Sequence, residues 1–161
     1  MTAPVPAEFA GPTPQLVVGD AAAAVEFYTA AFGADELLRN PGPDGRIMHC
    51  ELLVAGGRLF LHDEFPGTDS KSPHTLGGTP VVLHLYVPDV DAAHRQAVTA
   101  GAESVMEPYD AFWGDRYAQV RDPFGHLWSL ASQREDLDAD HMGDRAREWV
   151  AGHDAQGGLS T

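Results

Sequence analysis

Tyr86-Val87-Pro88-Asp89-Val90-Asp91-Ala92-Ala93, closed by Ala100-Gly101-Ala102-Glu103, repeats a stretch already met at Val17-Val18-Gly19-Asp20-Ala21-Ala22-Ala23-Ala24, closed by Phe32-Gly33-Ala34-Asp35. The offset is 69 residues from Asp20 to Asp89 and 68 from Gly33 to Gly101. It recurs as 69 between Gly45 and Gly114 and as 68 between Gly57 and Gly125. An internal repeat of this length limits the fold more than any single motif. It also predicts that a site lies in the surface the two copies share.

Each copy reads as strand, helix, strand, strand, strand. In the first, residues 13–18 form a strand and Asp20 caps a helix by accepting from its first free N–H groups. Ala24, Phe27, Tyr28, Ala31 and Phe32 recur at helical spacing and mark the buried face. Gly33 stops the helix in a left-handed conformation. Residues 35–39 form the next strand, and residues 46–54 and 58–63 a hairpin around Ala55-Gly56-Gly57. The linker, 64–80, is rich in Pro, Gly, Ser and Thr. The second copy gives a strand at 81–87, a helix at 90–100, and strands at 103–107, 115–121 and 126–132. The expected division is a mobile arm at 1–12, a first module at 13–63, the linker, a second module at 81–133, and a C-terminal helix and tail at 134–161. In that tail Leu137 is expected to staple onto Met142 beyond an Asp138 cap. Met142, Trp149 and Val150 share one helix face.

Bulk properties narrow the function. The chain has 161 residues, 43% of them hydrophobic, and a formal charge of −14 with a single lysine, Lys71. Such a charge argues against nucleic acid and anionic membranes, since phosphate binding needs a basic surface. No run approaches a membrane span and no signal peptide is expected. One cysteine, Cys50, excludes an internal disulfide and fits the cytoplasm. No glycine cluster has phosphate-loop or dinucleotide spacing.

Gly114-Asp115-Arg116, followed by Asp122-Pro123-Phe124-Gly125-His126-Leu127-Trp128, is the most specific signature in the chain. Together with the repeat, it resembles the vicinal oxygen chelate superfamily of glyoxalase I, extradiol dioxygenases, fosfomycin-resistance enzymes and bleomycin-resistance binding proteins. The resemblance covers residues 13–133. Phe27-Tyr28 and Asp63-Glu64-Phe65-Pro66 are similar to the glyoxalase/bleomycin-resistance or PhnB-like branch. The resemblance implies an α+β fold of two βαβββ modules whose curved mixed sheets surround a cavity. It also implies a homodimer, in some members with exchanged modules.

Catalytic members hold a divalent ion near the starts of strands 1 and 5 and the end of strand 8. At those positions this chain has Thr13, Val82 and Ser129. Hydroxyls and an aliphatic side chain make a poor transition-metal set, so no metal is expected. Two residues further along strands 1 and 5 stand Gln15 and His84, on the same faces. A displaced ion on His84 with Asp63 or Glu51 is the metal alternative. The Tyr109-to-Asp115 loop could stack a planar ligand through Trp113, with Phe112 as core. Arg116 is read as a ligand contact or as the partner of Asp115 or Glu107, and Trp128 as core against the second helix. Cys50 is read as buried packing.

The expected function is metal-free binding of a small, planar organic molecule, for example to sequester an antibiotic or metabolite. Gln15, His84, Tyr86 and Trp113 make the contacts, Ser129 lines the floor, and Asp63 and Arg116 are further ligand-binding candidates. The alternative is a lyase, isomerase or dioxygenase using a displaced metal or His84 as the catalytic base. A third reading is a subunit whose dimer interface is its main role.

Overall fold

The computed structural model describes Pro4, Pro6, Ala7, Phe9 and residues 11–154. The expected mobile arm therefore lies partly, and the end of the tail wholly, outside the described residues, as does the His153 side chain. Twelve elements follow in order: β1 (Gln15–Val18), α1 (Ala21–Phe32), β2 (Asp35–Pro41), β3 (Ile47–Val54), β4 (Gly57–Asp63), α2 (Pro73–Leu76), β5 (Val82–Tyr86), α3 (Val90–Ala100), β6 (Glu103–Asp110), β7 (Asp115–Arg121), β8 (Leu127–Gln133) and α4 (Ala139–Asp154). They build two mixed four-stranded sheets with the same order, β1-β4-β3-β2 and β5-β8-β7-β6. The repeat extends to register. Gln15 stands opposite Phe60 in the parallel β1–β4 pair, and His84 opposite Ser129 in β5–β8.

Caps and stops follow the repeat. Asp20 accepts from Ala23 N at 2.9 Å and Asp89 from Ala92 N at 3.0 Å. Gly33 and Gly101 end their helices with φ of 64° and 118°, where a side chain would be strained. Helices α1 and α3 pack on each other, each backing its own sheet. On that side the sheets bury Leu16, Val18, Leu52, Leu61, Val120 and Leu130. Trp128 joins this layer, but its ring lies 5.4 Å from Tyr28 and 4.6 Å from Phe32. Its aromatic partners are therefore on α1 rather than on the second helix, because α1 reaches across the module boundary.

The Asp122-to-Trp128 signature acquires a physical reason. Asp122 is 3% exposed. One carboxylate oxygen accepts from the Phe124 and His126 backbones, both at 2.9 Å. The other accepts from Tyr28 Oη at 2.7 Å and Trp128 Nε1 at 3.0 Å. The motif thus shapes its own turn and fastens it to α1. Burial and the neighbouring Asp122 charge push the Tyr28 phenol well above its ordinary pKa. A Cβ on Gly125 would fall 2.8 Å from Pro73 Cβ, so the turn also seats the linker.

The linker contains an unexpected short helix, α2, capped by Ser72. Glu64 accepts from Ser72 N and Thr75 Oγ1, both at 2.8 Å. These bonds hold its carboxyl at about 2, against an ordinary 4.5. A depressed folded-state pKa gives stability that is present above the unfolded value and lost as the pH falls through the folded one. The melting-temperature gap between wild type and Glu64→Gln is therefore expected to close as the pH falls from 4.5 to about 2. A gap independent of pH over that window would refute the assignment.

In the tail, Asp138 caps α4 through His141 N at 2.9 Å. The helix touches the body lightly, through Trp149 on Phe112 at 5.6 Å and Arg145 on Glu135 at 2.6 Å. Phe112, expected in the core, is half-buried between Trp113 and Trp149. Among the described residues no helix is long and apolar enough to cross a membrane.

Candidate functional site

The helix-free face of the second sheet carries a polar-aromatic cluster. Strand alternation sends His84 and Tyr86 from β5, Ser129 from β8, and Asp115, Tyr117 and Gln119 from β7 to this side. His84 Nδ1 lies 2.6 Å from Ser129 Oγ. The His84 ring stacks on Tyr117 at 6.3 Å and meets Tyr86 edge-on at 4.9 Å. Tyr109, Trp113 and Tyr117 stand nearly perpendicular to one another, with ring centroids 5.2 to 6.4 Å apart. Tyr86 Oη and Trp113 Nε1 both donate to Asp115 Oδ2 at 3.1 Å. That bond to a carboxylate raises the Tyr86 phenol pKa, and burial raises that of Tyr109. Gln119 donates to Tyr117 Oη at 2.7 Å.

His84 and Tyr86 also border a cleft of about 1040 Å³, opposite the β3–β4 turn and residues 11–14. A site of this size accepts a drug-sized molecule. Thr13 and Val82 line it as well.

Three sequence-predicted residues sit elsewhere. Asp63 lies on the helix side of β4, 7% exposed, and accepts from Ala21 N at 2.8 Å and Ile47 N at 2.6 Å. It ties α1 and β3 to the sheet and does not face the cluster. Arg116 points to the helix side of β7. Its Nε and Nη2 grip Asp91 at 3.0 and 2.8 Å, and its Nη1 reaches Asp110 at 3.2 Å. These partners differ from the expected Asp115 and Glu107. The guanidinium lowers the Asp91 carboxyl pKa and has its own raised. Gln15 is exposed on the first sheet and does not line the cleft. Asp115, Tyr117 and Gln119 were missed, although alternation along the correctly read strand 115–121 contains the signal. Cys50 is fully buried, and desolvation pushes its thiol up to about 11, which leaves it a poor nucleophile.

The residues present do not fit a divalent ion. Ser129 Oγ is engaged by His84, and Val82 offers no donor. Asp63 is saturated by backbone N–H groups, and Glu51 pairs with Arg58 at 2.9 Å. Among the described residues no three His, Cys, Asp or Glu side chains come together as ligands.

Two βαβββ modules with matching register, sharing a helix layer and presenting an open face, define a glyoxalase-type protein. The family model for the Glyoxalase/Bleomycin resistance protein/Dioxygenase superfamily matches residues 11–130, and the chain belongs to that superfamily. The uncharacterized protein Rv0887c of Mycobacterium tuberculosis is 48% identical over 133 residues, covering 81% of this chain and 78% of that one. The anthracycline biosynthesis protein DnrV of Streptomyces peucetius is 29% identical over 122 residues, 69% of this chain and 42% of that one. The crystal structure of TioX from Micromonospora sp. ML1 superposes with a TM-score of 0.60 at 29% identity, over 80% of this chain and 100% of that one.

Proposed function

We propose that this protein binds a small, planar organic molecule on the open face of its second sheet, without a metal ion. The observation that carries the reading is the exchange of metal-ligating for aromatic chemistry. Thr13, Val82 and Ser129 hold the expected ligand positions, while His84 bonds Ser129 and, with Tyr86, Tyr109, Trp113 and Tyr117, supplies an aromatic cluster on the second sheet. Rings bury large apolar area and add geometry-dependent stacking. The similarity to an anthracycline biosynthesis protein supports a metabolite or antibiotic as ligand. Val82 and Tyr86, 42% and 58% exposed, leave this face open, and a second copy of the chain would cover it. The working form is thus a homodimer, and the lone cysteine favours the cytoplasm.

Elemental analysis of protein purified without a histidine tag, with tryptophan-fluorescence titration against planar aromatic compounds, tests this. Saturable quenching with substoichiometric metal is expected. A stoichiometric divalent ion lost on His84→Ala overturns it, as does a flat fluorescence response across the panel. The short His84–Ser129 contact favours a second reading, in which His84 acts as a general base in a metal-free isomerase or lyase.

A further inference from the structure

Among the described residues three aspartates are more than nine-tenths buried: Asp63 at 7% exposure, Asp115 at 7% and Asp122 at 3%. Two of them are saturated. Each Asp63 oxygen takes a backbone N–H, and each Asp122 oxygen takes two donors. Asp115 is different. Both of its donors, Tyr86 Oη and Trp113 Nε1, converge on Oδ2, and Oδ1 receives no hydrogen bond among the described residues. Among the described residues no fully buried side-chain oxygen or nitrogen lacks a partner, so Oδ1 is reachable from outside.

Among the described residues Asp115 also makes no ion pair. The adjacent Arg116 is turned to the other side of β7 and committed to Asp91 and Asp110. A polar recess bordering Asp115 carries Asp91, Asp110 and Glu135 against Arg116 and Arg134. The chain as a whole carries a net charge of −14. The free oxygen of Asp115 thus faces outward with no counter-charge of its own, and a cation brought to it would form a charge-assisted bond. The nearest neighbours of Asp115 are ring systems whose faces attract cations.

We propose that the ligand is a cation: a planar molecule with a protonated nitrogen, whose positive charge is placed against Asp115 beside Tyr86 and Trp113. This rests on the reading that the face binds a planar organic molecule. The chain's negative field would also draw such a ligand in.

The test uses three planar probes of similar size: proflavine as the cation, lumiflavin as the neutral molecule and anthraquinone-2-sulfonate as the anion. Each is titrated into the full chain at neutral pH and about 0.15 M salt. Wild type is expected to bind proflavine at least about 10-fold more tightly than lumiflavin, with the anion weakest. Asp115→Asn should cost proflavine about 10-fold and leave lumiflavin within about 3-fold. Asp69→Asn removes the same unit of charge from an exposed linker position and should change neither. Equal affinity for proflavine and lumiflavin overturns the cation and leaves the site standing. So does an equal effect of Asp115→Asn and Asp69→Asn on proflavine. Failure of all three probes to bind overturns the site itself. The probe ranking in wild type needs no variant to fold.

Discussion

Replacing Asp122 with alanine is expected to lower the stability of this protein by at least about 4 kcal/mol, a large part of the total a domain this size commands. The substitution removes the acceptor for four donors at once. The Phe124 and His126 N–H groups, Tyr28 Oη and Trp128 Nε1 would all be left in a site from which water is excluded. Each buried donor without a partner costs about 1–3 kcal/mol, and water entering the space left by the carboxylate would recover part of that. Tyr28→Phe isolates one of the four bonds and should cost about 1–2 kcal/mol. Asp122→Asn keeps one acceptor oxygen and should fall between them. Urea denaturation followed by circular dichroism measures all three. A loss below about 1.5 kcal/mol for Asp122→Ala would show that the turn is held by its backbone bonds alone, Asp122 N to His126 O at 2.9 Å and Gly125 N to Asp122 O at 3.1 Å.

Much of the fold was legible because the repeat fixes element order, and Asp and Gly mark the ends of the helices. The site was legible only in part, and the failures have particular causes. Strand 4 runs Leu59, Phe60, Leu61, and hydropathy cannot say which side of such a strand faces the helix. The parallel register settles it. Phe60 stands opposite Gln15, so Phe60 and His62 share the open face while Leu61 and Asp63 turn to the core. Asp63 was assigned to the wrong side for that reason. Arg116 has the same explanation. Gln119 stands opposite Ser129 in the antiparallel β7–β8 pair, which puts Tyr117 and Asp115 on the open face and Arg116 behind it. That Trp128 meets α1 follows from how the modules dock, which no local pattern encodes. His84 and Ser129 were placed on one face by counting, and strand pairing brings them into contact.

The cluster gives Trp113 the most to lose among the proposed ligand contacts. Its indole touches Tyr109, Phe112 and Tyr117 and donates to Asp115. Trp113→Ala is therefore expected to weaken proflavine binding about 30-fold, near 2 kcal/mol, the range of a central aromatic anchor. Trp113→Phe keeps a ring but loses the N–H and should cost only about 3-fold. Titration by proflavine's own fluorescence gives these affinities without relying on the protein's signal. Intrinsic fluorescence adds a second readout. Trp128 is 4% exposed in the helix layer and Trp149 lies on α4 against Phe112, so ligand quenching should fall in both variants even where affinity survives. Melting curves separate a binding defect from a folding one, since Trp113 is only half-buried. If Trp113→Ala binds proflavine as wild type does, the ligand sits in the cleft beside Val82 and the β3–β4 turn. The aromatic cluster would then only support the sheet.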